Sequence, residues 1–298
     1  SALNRDVSDA FLDRLKEDLS RSGADQIYIF VHGYNTKLDS NTRIAAQIHH
    51  FLGGRGVMLS YEWPSRGNLT GYEADKASAL YSVRYFRLLI DYLSDQTDAR
   101  TTIIAHSAGA PVAVLALSQL GLAYGGDDGA AARERFNIDR LVLVAPDLDI
   151  GLFENAIHDE LPSLPRQMSI YMSTHDRALE IAAWLRGVRS LGSGIDALTE
   201  EDLLFIQDKP NVEIIDVGPA EKRNGSWLGH SYFHSDPWVS SDVLMAMRFG
   251  ALAQPQDRGL VQSESGWYWT VPHDYLEHAI RCAQELVRME EHLAEDIK

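Results

Sequence analysis

Apolar runs and helical periodicities alternate along this chain of 298 residues. Runs rich in Ile, Val, Tyr and Phe, bounded by turn residues, predict strands at Gln26–Val31, Gly56–Glu62, Arg100–Ala105, Arg140–Ala145, Gln167–Met172 and Val212–Val217. Between them, apolar positions spaced three and four apart predict helices at Asn41–Leu52, Glu73–Ser94, Ala110–Tyr124, Gly151–Glu160 and Arg177–Leu185. The strand runs do not alternate apolar with polar residues, so both strand faces are expected to be covered. That pattern predicts an α/β fold, a doubly wound and mainly parallel sheet with helices on both faces. Right-handed crossovers then gather the strand C-termini on one edge, where open α/β sheets bind ligands.

The two ends differ from this rhythm. A first helix around Val7–Arg21 carries Phe11, Leu12, Leu15 and Leu19 on one stripe and is expected to pack on the sheet. Beyond Gly250 a Pro-, Gly- and Gln-rich connection leads to Trp267-Tyr268-Trp269 and a long amphipathic helix over Asp274–Glu295. Without repeats, low-complexity tracts or a linker, residues 1–250 read as one catalytic domain. Residues 251–298 read as an extension packed on it or at a homo-oligomer interface.

Composition narrows the partners. The net charge is −16 and no basic run is present to neutralise phosphates, which argues against nucleic acid and against anionic membrane surfaces. No run approaches the ~20 apolar residues of a membrane span. The single cysteine, Cys282, excludes an internal disulfide framework and lies in a helical pattern, where it is expected as a packed thiol. No signal peptide is visible, and a start at Ser1 without Met is expected of a trimmed or mature form, which leaves cytoplasm and periplasm both open.

Candidate chemistry centres on Ala105-His106-Ser107-Ala108-Gly109. A strand run stops at a small residue, presents one serine, and restarts as an Ala-rich helix, the context in which small-x-Ser-x-small works as a nucleophile elbow. The pentapeptide alone arises by chance in many proteins, and its first glycine is replaced here by Ala105. The strand before it and the helix after it give it weight. The turn would raise the Ser107 hydroxyl above the sheet edge and aim the Ala108 N–H at an oxyanion.

A serine needs a histidine base, and that base needs an orienting carboxylate. In this arrangement the chain order is Ser, then Asp or Glu, then His. Asp176 follows the Gln167–Met172 run and His230 follows Val212–Val217, so Ser107, Asp176 and His230 are the expected catalytic set. Asp147 and Asp149 compete for the acid role and are expected instead to cap a helix or hold a loop; His234 competes as base. His106 and His175 adjoin the expected catalytic residues in sequence, and His49 and His50 read as surface or packing residues. No metal-ligand spacing is present among the eleven histidines, and no cofactor is expected. A second oxyanion donor is expected from His32-Gly33-Tyr34-Asn35, as the N–H of Tyr34 or, less favoured, of Gly33. The bland alternative is a plain strand-ending glycine turn.

With these residues in place the chain resembles the α/β-hydrolase superfamily, in particular a bacterial branch of serine esterases. The resemblance is carried by His32-Gly33-Tyr34-Asn35, Trp63-Pro64-Ser65-Arg66-Gly67, Ala105-His106-Ser107-Ala108-Gly109 and Ala145-Pro146-Asp147-Leu148-Asp149. It is extended by Asp176-Arg177-Ala178-Leu179 and Gly229-His230-Ser231-Tyr232, and runs from about Gln26 to Phe249. It implies hydrolase chemistry on a small-molecule ester. The link Pro146–Arg166 leaves no room for a lipase lid, so small or short-acyl esters are expected. Gly33, Trp63 in Trp63–Tyr72 and Trp227 in Asn224–Trp238 are candidate pocket walls, although each tryptophan, Trp238 included, reads more readily as core. Arg66 reads as a structural ion pair before it reads as a ligand for a substrate carboxylate. A thioesterase, amidase or lactonase would use the same triad, and a non-catalytic scaffold docking through its last helix is the reading from another class.

Overall fold

The computed structural model describes residues 2–66, 71–124, 129–176, 179, 189–218, 232–272 and 274–296. Its elements in chain order are α1 (Ala2–Ser22), β1 (Gln26–Val31), α2 (Leu38–Phe51), β2 (Val57–Tyr61), α3 (Tyr72–Gln96), β3 (Arg100–His106), α4 (Ala110–Tyr124), α5 (Ala130–Phe136), β4 (Ile138–Val144) and α6 (Ile150–His158). There follow β5 (Gln167–Met172), α7 (Glu200–Gln207), β6 (Val212–Asp216), α8 (Pro237–Phe249), β7 (Val261–Gln262), β8 (Trp269–Thr270) and α9 (Tyr275–Asp296). The strands form one sheet in the order β2-β1-β3-β4-β5-β6-β8-β7. The sheet is mainly parallel, with β7 antiparallel to β8. The mainly parallel α/β sheet expected from the run pattern is therefore observed, and it is the architecture the α/β-hydrolase resemblance implies.

The chain falls into two compact units. Ser1–Leu141 with Gly151–Arg166 form the first, and Val142–Ile150 with Gln167–Lys298 the second.

In the first unit β1 pairs in parallel with both β2 and β3. Every residue of β1 is buried, so its apolar run has no polar face to alternate with. Its one polar side chain, Gln26, donates to Thr102 Oγ1 on β3 at 3.0 Å, which satisfies both groups without water. Helix α4 carries no charge and is buried on most of its circumference. Its Gly121 is required by contact, because a β-carbon there would stand 2.7 Å from the Glu160 carbonyl oxygen. The window Ser107–Tyr124 is the stretch among the described residues that is long and apolar enough to cross a membrane, and 72% of it is buried in the protein. Leu15 of α1 is buried as expected, whereas Phe11 from the same predicted stripe is exposed.

In the second unit β5 pairs with β6, and β6 with β8. Here β6 is not the last strand, as the run pattern had suggested. Trp269 and Thr270 pair with Ile215 and Asp216, so part of the tail adds to the sheet. Helix α8 begins where a loop through Trp238 was expected. Asp236 caps it by accepting from the N–H of Trp238 and of Val239, and Pro237 occupies the first turn, where a missing N–H costs nothing.

The core of this unit contains an ionic cluster. Arg258 is fully buried and donates to Asp242 through Nε at 3.0 Å and through Nη2, to Glu213 through Nη1, and to the Tyr171 hydroxyl at 2.8 Å. Tyr171 and Tyr275 in turn donate to Asp242 at 2.7 and 3.0 Å. Ser169 Oγ and the Ala253 N–H donate to Glu213 at 2.6 and 2.9 Å. Burial opposes the charge on Arg258, but Asp242, then Tyr171 and Glu213, outweigh it and hold the guanidinium protonated. Tyr275 begins α9, so the last helix is tied to α8 by this cluster and by the ion pair of Arg248 with Glu290 at 3.6 Å. The Cys282 thiol is buried on α9, and burial pushes its pKa up.

Candidate active site

Strand β3 ends at His106, and Ser107 then adopts a left-handed backbone conformation with φ +53°. A side chain with a Cβ pays about 1–2 kcal/mol to stand there, a cost associated with functional turns. The turn Ser107–Gly109 leads into α4, whose first N–H, from Ala110, is accepted by the Ser107 carbonyl. Ser107 is 4% exposed. The elbow is tight against its neighbours. A β-carbon on Gly109 would lie 2.7 Å from the Val31 carbonyl oxygen and closer still to that of His32. Ala105, by contrast, pairs with Val31 in the ladder and is buried without strain, so the missing first glycine is tolerated.

The loop after β1 lies directly on the elbow. A β-carbon on Gly33 would meet both His106 Nδ1 and Ser107 Cβ at 2.9 Å, so only glycine lets this backbone approach so closely. Tyr34 follows, half-buried, with its ring edge-on to Tyr72 at 5.1 Å. Asn35 closes the turn at φ +54°.

The neighbouring motif residues hold this loop in place. His32 is buried and stacked on Trp63 at 4.7 Å, with the planes 11° apart. The Trp63 indole N–H donates to the His32 carbonyl at 2.7 Å. His32 Nδ1 lies 2.8 Å from the Gly33 carbonyl, and the Trp63 N–H points at Nε2 at 3.3 Å. Nε2 also lies 3.1 Å from the Trp63 carbonyl, so both ring nitrogens are partnered by backbone. Burial lowers the His32 pKa, against smaller upward effects of the Gly33 carbonyl and Glu62. Trp63 itself is buried in this stack. Asp75, also buried, accepts from Ser65 Oγ at 2.7 Å and from the Arg66 N–H at 2.9 Å, which explains the serine in Trp63-Pro64-Ser65-Arg66. The Arg66 side chain is exposed.

In the second unit Asp176 is buried after β5, and its Oδ1 accepts from the Leu179 N–H at 3.1 Å. Its companion Ser173 Oγ accepts from the His175 N–H at 3.1 Å. Asp147, the competing acid, is buried after β4. The loop that carries it starts at Ala145, φ +47°, and is bridged by residues 189–192. Gly192 N–H donates to the Pro146 carbonyl at 3.0 Å, Leu191 N–H to that of Leu148 at 2.8 Å, and Asp149 pairs with Ser190. His230 and Trp227, with the helix expected over Arg177–Leu185 apart from Leu179, lie outside the described residues. His234 is exposed, one residue after the buried Phe233.

The first unit thus presents a serine on a strained turn with a glycine loop against it, and the second a buried carboxylate after a parallel strand. Sequence reasoning missed the Arg258 cluster, although Asp236-Pro237 before a spaced apolar run was a legible start for α8. Among the described residues no group of three or more His, Cys, Asp or Glu side chains is placed to hold a metal ion.

A family model described as an alpha/beta hydrolase of unknown function (DUF900) matches residues 7–248. No curated protein matches the chain. Among solved structures, the chain is similar to a dienelactone hydrolase from Anabaena variabilis, with 15% identity over 74% of this chain and 83% of that one and a TM-score of 0.41. A thermophilic esterase from the planctomycete Thermogutta terrifontis, propionate-bound, is 16% identical over 74% and 79%, with a TM-score of 0.38. A lipase-esterase related protein from Clostridium acetobutylicum is 10% identical over 72% and 90%, with a TM-score of 0.39.

Proposed function

We propose that this chain, which belongs to the α/β-hydrolase family whose model it matches, is a serine hydrolase that cleaves small carboxylic esters. The observation that carries the reading is the Ser107 backbone at φ +53° on a strand-to-helix turn. Such strain is kept where a nucleophile must be presented.

In this reading His230 removes the Ser107 proton as Oγ attacks the ester carbonyl, and Asp176 fixes the tautomer of the imidazole. The N–H groups of Ala108 and Tyr34 stabilise the oxyanion; the close approach of Gly33 to the Ser107 side chain supports the second donor. The alcohol leaves with the proton from His230. Water, deprotonated by His230, then attacks the acyl-enzyme and returns Ser107. No cofactor enters these steps. Gly33, which stands against the Ser107 side chain, is assigned to the wall of the acyl pocket, while Trp63 supports the loop that carries it. The link from β4 to β5 is used up by α6 and the turn Leu161–Ser163, which supports short acyl groups over lid-dependent lipids.

A fluorophosphonate probe tests the assignment. The wild-type chain is expected to be labelled on the peptide containing Ser107 and the Ser107→Ala variant to stay unlabelled. Folded wild-type protein that takes no label overturns the reading.

A further inference from the structure

Helix α9 lies beyond the family match, which ends at residue 248, and it carries two apolar stripes side by side. Tyr275, Ala279 and Cys282, spaced four and three apart, are buried against the rest of their unit. One position further along the chain runs a second stripe of Leu276, Ile280, Ala283 and Val287. It is turned by about 100° from the first, which takes it off the packed side of the helix. Ile280 is 56% exposed and Leu276 38%, while Ala283 and Val287 are half-buried. Steps of four, three and four residues are those of a coiled-coil seam, and no charge interrupts them. The helix that bears this seam is fixed. The Tyr275 hydroxyl on Asp242 and Glu290 on Arg248 hold it to the unit, so the stripe is presented in one orientation. On its open side it is bordered by Glu277, Gln284 and Arg288, all exposed.

We propose that two copies of the chain pair through this stripe, with their α9 helices antiparallel. A two-fold axis between Arg281 and Cys282 makes the stripe complementary to itself. Leu276 then meets Val287 of the second copy and Ile280 meets its Ala283, large against small, and each contact occurs twice. Glu277 stands within about 3 Å, along the helix axis, of the level of Arg288 in the second copy. Two opposite-charge pairs therefore border the seam, one on either side of the axis. A parallel pairing sets Ala283 against Ala283 and leaves a gap there. The order of large and small residues and the signs at Glu277 and Arg288 are thus matched within one helix, which is why the occupant is a second copy. None of the residues assigned to catalysis lies on α9, so the inference stands apart from the serine hydrolase reading.

Sedimentation velocity of the full chain over a concentration series tests the pairing. Four apolar side chains per helix make a small interface, so a dimer with a dissociation constant on the order of 10 μM is expected. Ile280→Glu enters the interface twice and is expected to weaken it more than tenfold. Glu277→Arg and Arg288→Glu, each alone, set like charges opposite each other and are expected to weaken it about fivefold. The double variant Glu277→Arg with Arg288→Glu restores opposite signs and is expected within about twofold of the wild type. These side chains are exposed, so the unfolding midpoint is expected to move by no more than about 3 °C. Wild-type protein that stays monomeric at ten times the expected constant overturns the inference, whether the stripe is left to solvent or taken by another protein. A dimer that Ile280→Glu leaves at wild-type strength overturns it too, since another face then makes the contact. A double variant as weak as the single ones overturns the antiparallel pairing.

Discussion

Gly109 lies so close to Val31 that a β-carbon on it would stand 2.7 Å from the Val31 carbonyl oxygen. The first turn of α4 is thereby seated on the end of β1, and the elbow is held from behind. Gly109→Ala forces the two backbones apart. It is expected to cost about 1–3 kcal/mol of stability by overpacking. Ester turnover measured on the folded fraction is expected to fall as well, because Ser107 moves with the turn. Urea titration and turnover on p-nitrophenyl acetate check the two effects separately.

Asparagine at position 176 retains an oxygen for the Leu179 N–H but cannot hold a charged imidazole. Asp176→Asn should therefore leave the unfolding midpoint near that of the wild type and lower turnover by roughly 10³–10⁴-fold. Asp147→Asn is the paired control. If Asp147→Asn gives the large loss and Asp176→Asn does not, the carboxylate has been assigned to the wrong strand. Ser107→Ala sets the floor, with turnover lower by about 10⁶-fold.

The His32 ring is buried neutral and its pKa is lowered, so the unfolded chain binds a proton that the folded chain resists. Its contribution to stability is complete above the unfolded value, near 6.5, and is lost as pH falls through that value towards the folded one. Replacing His32 with Gln is expected to lower stability at neutral pH and to flatten the dependence of the urea midpoint on pH just below 6.5. An unchanged slope in the variant would show that other groups set it.

Arg258→Met leaves Asp242 and Glu213 buried without their cation, and removing one partner of such a cluster costs about 3–5 kcal/mol. Combining it with Asp242→Asn and Glu213→Gln removes the uncompensated charges and is expected to restore part of that loss. Denaturant titration of the single and the triple variant measures both.

Much of the α/β order was legible because buried parallel strands read as unbroken apolar runs. β1 and β5 fall on the bounds their runs predict, and so does α4. The tight strand-to-helix turn at Ser107 was legible for a related reason, since a strand, a lone serine and an Ala-rich helix leave few conformations between them. β7 and β8 were not, because two residues carry no period and their pairing is decided by β6. Arg258 was hidden more deeply. In Pro255-Gln256-Asp257-Arg258-Gly259 a charged residue reads as a solvated turn, and only contacts with residues 171, 213 and 242 put it in the core. Phe11 failed in the opposite sense: it belongs to the stripe of α1 but finds no cover.

The left-handed backbone at Ser107 has a consequence for how such a chain drifts over generations. Glycine is the residue that accepts φ +53° at no steric cost, so Ser107→Gly should raise the unfolding midpoint while abolishing the chemistry. Selection for durability and selection for turnover pull this codon in opposite directions. A lineage that stopped needing the reaction would be free to take the glycine, so under the serine hydrolase reading the strain at this position is what keeping the nucleophile costs.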